Sequence, residues 1–341
     1  MTIRVEDLKE KRTVVLKNSN NGEIDTVVHL NDTKIGTTSN AKNLEVTGDL
    51  RANGLLNSNG QSYVDPSPFG LRLTLTTAVP VTSADVTNAS TLYLTPFTSG
   101  HVALYNGARW VDLNTPEVSL SLSGLTSANN YDVFLYLNGS AATLELSAVW
   151  TNDTTRADAI SRLDGVFVKS ANSTRRYVGT IRATGTTTTT DSTAQRFVWN
   201  NYNQANRTMR VIESTSSWAY TTAAFRQTRA TTSNKVEYVT GDASSLVKIT
   251  AMSVYFCATA AVVALGGVGI DSTTVNSAQI YGGNNAMVGI ANKDIADYRG
   301  YPGLGYHAVS WLEYGGANVT FIGNFALPTT YQSGMSGEIM G

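Results

Sequence analysis

Only one cysteine and three histidines occur among 341 residues. A lone Cys257 cannot form an intrachain disulfide or a cysteine-based zinc site, and reads as an inert core residue. His29, His101 and His307 lie too far apart for a local metal-ligand spacing. Charge is scarce as well. Asp, Glu, Lys and Arg make up 15% of the chain, against a usual share of about 25%. The 25 basic and 26 acidic residues leave a formal net charge of -1. A nucleic-acid binder would carry a basic excess on one face, so no nucleic-acid partner is expected. Long helix-forming stretches of Glu, Lys and Leu are nearly absent. No Walker loop, G-x-G-x-x-G fingerprint or G-x-S-x-G elbow occurs, and no cofactor is expected. Met1 is followed by a charged stretch from Arg4 to Arg12, without the apolar core and small-residue cleavage site of a secretory signal.

What the chain does contain is 42% hydrophobic residues, 29 glycines and an abundance of Thr, Ser and Asn. Thr favours strands, whereas Gly and Asn favour tight turns. This composition implies an all-β protein with sizeable cores. Residues 251–270 carry no charge and are long enough to imitate a membrane span. Their β-branched residues and the glycines Gly266, Gly267 and Gly269 instead predict two buried strands around a glycine-rich turn, and a chain that does not span a membrane.

Four segments are expected. Residues 1–35 are the most charged. In them, 5–12 reads as one or two helical turns, and 13–17 and 24–30 as strands joined at Asn21-Gly22. So small a segment cannot hold its own core and must dock elsewhere. Glu6, Asp7, Lys9, Lys11 and Arg12 form its candidate docking patch. Residues 36–68 carry short apolar beats at Leu44, Val46, Leu50, Leu55 and Leu56, which suit a short intertwined β shaft whose core is completed by neighbouring chains. Pro66 and Pro68 mark a rigid exit. Residues 69–205 alternate as strands with turn signals at Asn106-Gly107 and Asn138-Gly139, the pattern of a β-sandwich. One short helix is expected over 155–163, from the spacing of Ala157, Ile160 and Leu163. Residues 206–341 predict a second unit of the same type.

The stretch YDVFLYLNG through RLDGVFVKSANSTRRYVGTIRAT to DSTAQRFVWNNYNQANR resembles a module of tailed-bacteriophage tail-fibre and related fibre proteins. LTTAVPVTSADVTNASTLYLTPFTSGHVALYNGARW and the C-terminal YHAVSWLEYGGANVTFIGN and QSGMSGEIMG share that resemblance, which covers about three quarters of the chain. It implies a virion appendage, a homotrimer whose N-terminus docks on another virion protein. It brings no catalytic residues.

Asp294 with Asp297, or Glu237 with Asp242, are the carboxylate pairs a glycosidase would need, but most such residues in β proteins form turns. The threonines at 184 and 186–190 read as an exposed strand or linker. The strongest cluster is aromatic. Flat rings pack on the C–H faces of sugars, and Asn or Asp side chains bond hydroxyls. Tyr298, Tyr301 and Tyr306 in DYRGYPGLGY, with Asp297 and Asn292, are the candidate ligand-binding residues, on a loop held by a rigid scaffold. The expected function is non-enzymatic attachment to a host cell-surface glycan or outer-membrane receptor. The protein would be made in the host cytoplasm and exposed on the virion, as a tail appendage. The rivals are a head fibre or decoration protein on the capsid, and a depolymerising tailspike. A tailspike would require a repeated β-helix rung, and none is visible.

Overall fold

The computed structural model describes residues 66–259, 262–282, 288–325 and 331–341, together with the backbone of four N-terminal strands. Residues 1–53 and 54–341 form two compact units. The described part is all-β, and its one helical element is the 3₁₀ turn Thr228–Ala230.

In the first unit, Thr2–Leu8, Lys11–Lys17, Ile24–His29 and Ile35–Thr37 form an antiparallel meander in sequence order. The helical turns expected over 5–12 are replaced by strands, with Asp7 opposite Arg12, Glu6 opposite Thr13 and Leu8 opposite Lys11. The period-two alternation of Ile3, Val5 and the charged residues between them overrides the helix propensity of Glu, Leu and Lys. Lys9 and the shaft residues Leu44, Val46, Leu50, Leu55 and Leu56 lie outside the described residues.

The second unit contains two β-sandwiches. In the first, the sheet of Val118–Ser121, Thr91–Pro96 and Leu71–Thr74 faces a six-stranded sheet centred on Asn130–Asn138 and Asn172–Arg182. Leu71, Leu73, Leu92, Val133, Leu135 and Ile181 fill the space between them. In the second, one seven-stranded sheet is centred on Gly305–Tyr314 and Lys235–Thr240, and the other on Val247–Cys257 and Asn292–Gly300. Trp311, Tyr238, Val268, Ile249, Ala296 and Met335 make that core.

The two sandwiches share structure. Val86–Ala89, Thr189–Asp191 and Gln195–Arg196 belong by sequence to the first half, yet they extend a sheet of the second. The link is parallel: Gln195 pairs with Glu237 and Arg196 with Tyr238. Phe134, Tyr177, Trp199 and Val239 form a further cluster across this junction. There Arg156 donates through Nε to Asp132 Oδ2 at 2.9 Å and through Nη2 to Gly241 O at 2.5 Å.

Two further expectations are corrected. The helix over 155–163 is absent: Ile160–Leu163 is a strand, paired with Val166–Lys169. Asp164 (φ 50) and Gly165 (φ 85) both take positive φ, as a type I′ hairpin turn requires. That local turn prevails over the accidental helical spacing. The glycines of 266–269 are not a turn but lie inside the strand Leu265–Ile270. A Cβ at Gly266 would stand 2.8 Å from Ser253 Oγ, and one at Gly267 3.0 Å from the Phe225 ring. Glycine serves close packing here. The apolar run 251–270 is thus divided between Val247–Cys257 and Leu265–Ile270, in opposite sheets. No helix among the described residues is long and apolar enough to cross a membrane.

Candidate functional site

The five candidate ligand-binding residues are distributed rather than gathered. Only Tyr301 is on the turn between Asn292–Gly300 and Gly305–Tyr314, where it is 64% exposed. Gly303 (φ 120) and Gly305 (φ 107) shape this turn, and Thr240 Oγ1 donates to Gly303 O at 2.8 Å. Tyr298 and Tyr306 lie in strands instead of the expected loop, because the alternation on either side of the turn is continuous. Tyr298 stands opposite Ile249 and packs against the core. Burial, with the charge of Asp271, pushes its phenol up. Asn292 is buried at the far end of its strand. Asp297 points to the outer face, into a groove of about 690 Å³ with Lys248, Thr250, Arg299 and Glu338. There it accepts from Thr250 Oγ1 at 2.8 Å and pairs with Arg299 Nε at 3.2 Å.

Tyr306 opens onto a cleft of about 550 Å³ at the junction of the sandwiches. The cleft is built on the shared sheet. Glu237 is opposite Ala308 in Gly305–Tyr314, and Tyr306 is its diagonal neighbour two residues away. The small Ala308 leaves room for the Tyr306 hydroxyl to donate to Glu237 Oε1. Gln195, opposite Glu237 across the parallel pair, donates through Nε2 to Oε2 at 3.0 Å, and Lys235 Nζ lies 2.8 Å from Oε1. Burial pushes the Glu237 carboxyl up, but these three donors outweigh it and hold its pKa below the usual value. Burial, and then the bond to Glu237, push the Tyr306 phenol well up. It therefore keeps its proton at neutral pH.

Arg182 closes one side. This buried arginine ends the long strand Asn172–Arg182, and its guanidinium carbon lies 3.5 Å from the Tyr306 ring centre. Its Nη1 donates to Asn130 Oδ1 at 2.9 Å and Asp153 Oδ1 at 2.7 Å. Phe197 packs on the same tyrosine, with ring centres 6.2 Å apart. Asn88 stands on the rim in the left-handed region (φ 55), beside a register shift between Val86–Ala89 and Thr189–Asp191. Ala128 (φ 59), on the same rim, is left-handed too. Thr184 and Thr190 also line the cleft. Two residues of the threonine run are therefore part of its wall and the strand Thr189–Asp191 is buried, while Thr186 and Thr187 are exposed as expected.

Neither carboxylate pair converges. Asp294 and Asp297 are three apart in one strand, so they face opposite sides of the sheet. Glu237 has the partners given above, whereas Asp242 accepts from Ser244 N and Ser245 Oγ. Among the described residues no group of three or more His, Cys, Asp or Glu side chains could hold a metal ion. Sequence reasoning missed Arg182, Gln195 and Asn88. No local signal singles them out: the strand that Arg182 ends also carries Arg175 and Arg176.

No family model matches the chain, and no curated protein matches it. Among solved structures, the crystal structure of BuGH86wt in complex with neoagarooctaose overlays 75% of this chain at 10% identity, with a TM-score of 0.24. The chain spans 33% of the length of that protein. The structure of infectious bursal disease virus Gx strain overlays 84% of this chain and 67% of its own, at 13% identity and a TM-score of 0.25. At such scores neither likeness carries an argument about fold or activity.

Proposed function

We propose that the chain is a virion fibre protein of a tailed bacteriophage, a tail appendage that attaches the particle to a host-surface glycan or outer-membrane receptor without catalysis. In this reading it is a homotrimer. Its first residues, including Glu6, Asp7, Lys11 and Arg12, dock on another virion protein, and the beats between Leu44 and Leu56 join the three chains. The resemblance of the sequence to fibre modules supports the reading, as does the low charge of a rigid all-β chain.

The observation that carries it is the cleft at Tyr306, where aromatic rings, amides and hydroxyls converge on a sheet scaffold. Its chemistry suits binding rather than turnover. The Tyr306 phenol is held protonated, and the Glu237 carboxylate already accepts from Tyr306, Gln195 and Lys235. Glu237 is therefore poorly placed to act as a base.

The test is competition. Purified trimer should block adsorption of the particle to host cells, and a labelled chain should be seen on the tail. Adsorption unchanged at saturating protein sinks the attachment reading. Release of reducing ends from host polysaccharide would replace it with a depolymerase.

A further inference from the structure

We infer that the cleft at Tyr306 takes an uncharged saccharide unit and rejects acidic and basic sugars. The inference rests on the attachment reading above and narrows its ligand. It comes from how the charges of the cleft are arranged.

The lining holds one cation and one anion, Arg182 and Glu237. Each already has an internal counter-charge. Arg182 pairs with Asp153 at 2.7 Å, and Glu237 with Lys235 at 2.8 Å. The two occupy different parts of one side chain, for the guanidinium lies over the Tyr306 ring and the carboxylate holds its hydroxyl. A ligand carboxylate drawn toward Arg182 would therefore approach Glu237 within about one ring's length. A ligand ammonium drawn toward Glu237 would meet Arg182 in the same way. At the dielectric of a protein surface this repulsion offsets the attraction to the nearer group, itself already weakened by its counter-charge, so a charged sugar is left with the cost of shedding its water.

What remains available is uncharged or donor-only. Arg182 uses Nη1 for Asn130 and Asp153, and its Nε and Nη2 have no acceptor among the described residues. The Asn88 side chain is exposed and makes no bond to the described residues. Its amide both donates and accepts, as sugar hydroxyls do. The left-handed backbone at Asn88 and Ala128 fixes this rim. A cleft of about 550 Å³ has the size usual for a small-molecule site.

The experiment is ligand-observed saturation transfer on the full chain. The neutral probes are methyl glucoside and N-acetylglucosamine, and the charged ones glucuronate, N-acetylneuraminate and glucosamine. Each is repeated with Asn88→Gly, which keeps the positive φ while removing the amide. A neutral probe should give signal that falls several-fold in Asn88→Gly, while charged probes bind several-fold more weakly than their neutral counterparts. Glu237→Gln should narrow the gap for glucuronate. A charged sugar that binds as well as its neutral counterpart, and is lost in Asn88→Gly, overturns the inference and leaves the cleft as a glycan site. Sugar signal that is absent, or indifferent to Asn88→Gly, overturns the cleft itself. Signal lost only in Tyr301→Ala does the same and moves recognition to the turn.

Discussion

The guanidinium of Arg182 covers one face of the Tyr306 ring, 3.5 Å from its centre, while the hydroxyl of that ring is held by Glu237. Tyr306 is thus part of the joint between the sandwiches as well as of the cleft. Tyr301, five residues earlier, stands in solvent. Tyr306→Ala should cost about 3 kcal/mol, as for other aromatic truncations at packed sites. Tyr306→Phe should cost about 1 kcal/mol through the lost hydroxyl bond. Tyr301→Ala should stay within about 0.5 kcal/mol. Thermal unfolding of the three variants checks the order, and a Tyr306→Ala variant that melts like the parent would remove Tyr306 from the joint.

A second expectation concerns Asp191. It holds Arg196 Nη1 at 2.9 Å and Arg207 Nη2 at 2.6 Å, and all three side chains are buried. Nearby, Arg72 spends its guanidinium on the carbonyls of Pro80, Asn203 and Gly341, and burial followed by the charge of Arg207 pushes it down to about 10. Asp191→Asn leaves these cations without their carboxylate. The expected loss is about 3–5 kcal/mol, the usual cost of breaking a buried pair from one side. Denaturant unfolding measures it.

Acid should first stabilise the protein and then destabilise it. Burial raises the Asp132 carboxyl to about 6, despite Arg156 and Thr180 beside it. The folded state thus binds this proton more tightly than the unfolded state does. Stability from Asp132 rises as pH falls through about 6, levels off near the unfolded value of 3.8, and spans about 3 kcal/mol. Asp294 and Glu313, raised mainly by burial, act in the same direction. Glu237 and Glu213, whose hydrogen bonds outweigh burial and lower them, act oppositely and lose their contribution at lower pH. Melting temperature against pH should therefore peak in mild acid. In Asp132→Asn the rise between pH 7 and 5 should shrink, and an unchanged profile would exclude Asp132 as its source.

Gly305 is expected to tolerate no side chain. Its φ is 107, and a Cβ would collide with the backbone of Asp153, whose carbonyl accepts from Tyr306 N at 2.9 Å. Gly305→Ala combines strain at positive φ with this collision. It should lower the melting point and weaken probe binding together, whereas Gly139→Ala should cost only the strain, since a Cβ there meets nothing within 4 Å.

Hairpins were the most legible part of the chain. Asn106-Gly107 joins His101–Tyr105 to Trp110–Asn114, and Asn138-Gly139 joins Asn130–Asn138 to Ala141–Leu146, because one dipeptide decides the turn and the turn decides the register. Cys257 fell in the core as its surroundings implied. The cleft was not legible. Asn88, Arg182, Glu237 and Tyr306 are brought together by pairing between strands far apart in sequence, which no local pattern encodes. The aromatic stretch 298–306 drew attention to Tyr306 but not to its partners. Alternation was visible on both sides of the turn, and the glycines and Pro302 concealed how briefly the chain leaves it.

The parallel pair between Gln195–Arg196 and Lys235–Thr240 also sets a unit of inheritance. A genetic crossover near residue 205 would part Gln195 from Glu237 and Arg182 from Tyr306, and leave each parent's half-joint facing a stranger's. Exchange of the distal part between related genes can therefore succeed only where both sandwiches travel together. The exposed side chains of Asn88 on the rim and Tyr301 on the turn are free to change without disturbing this joint.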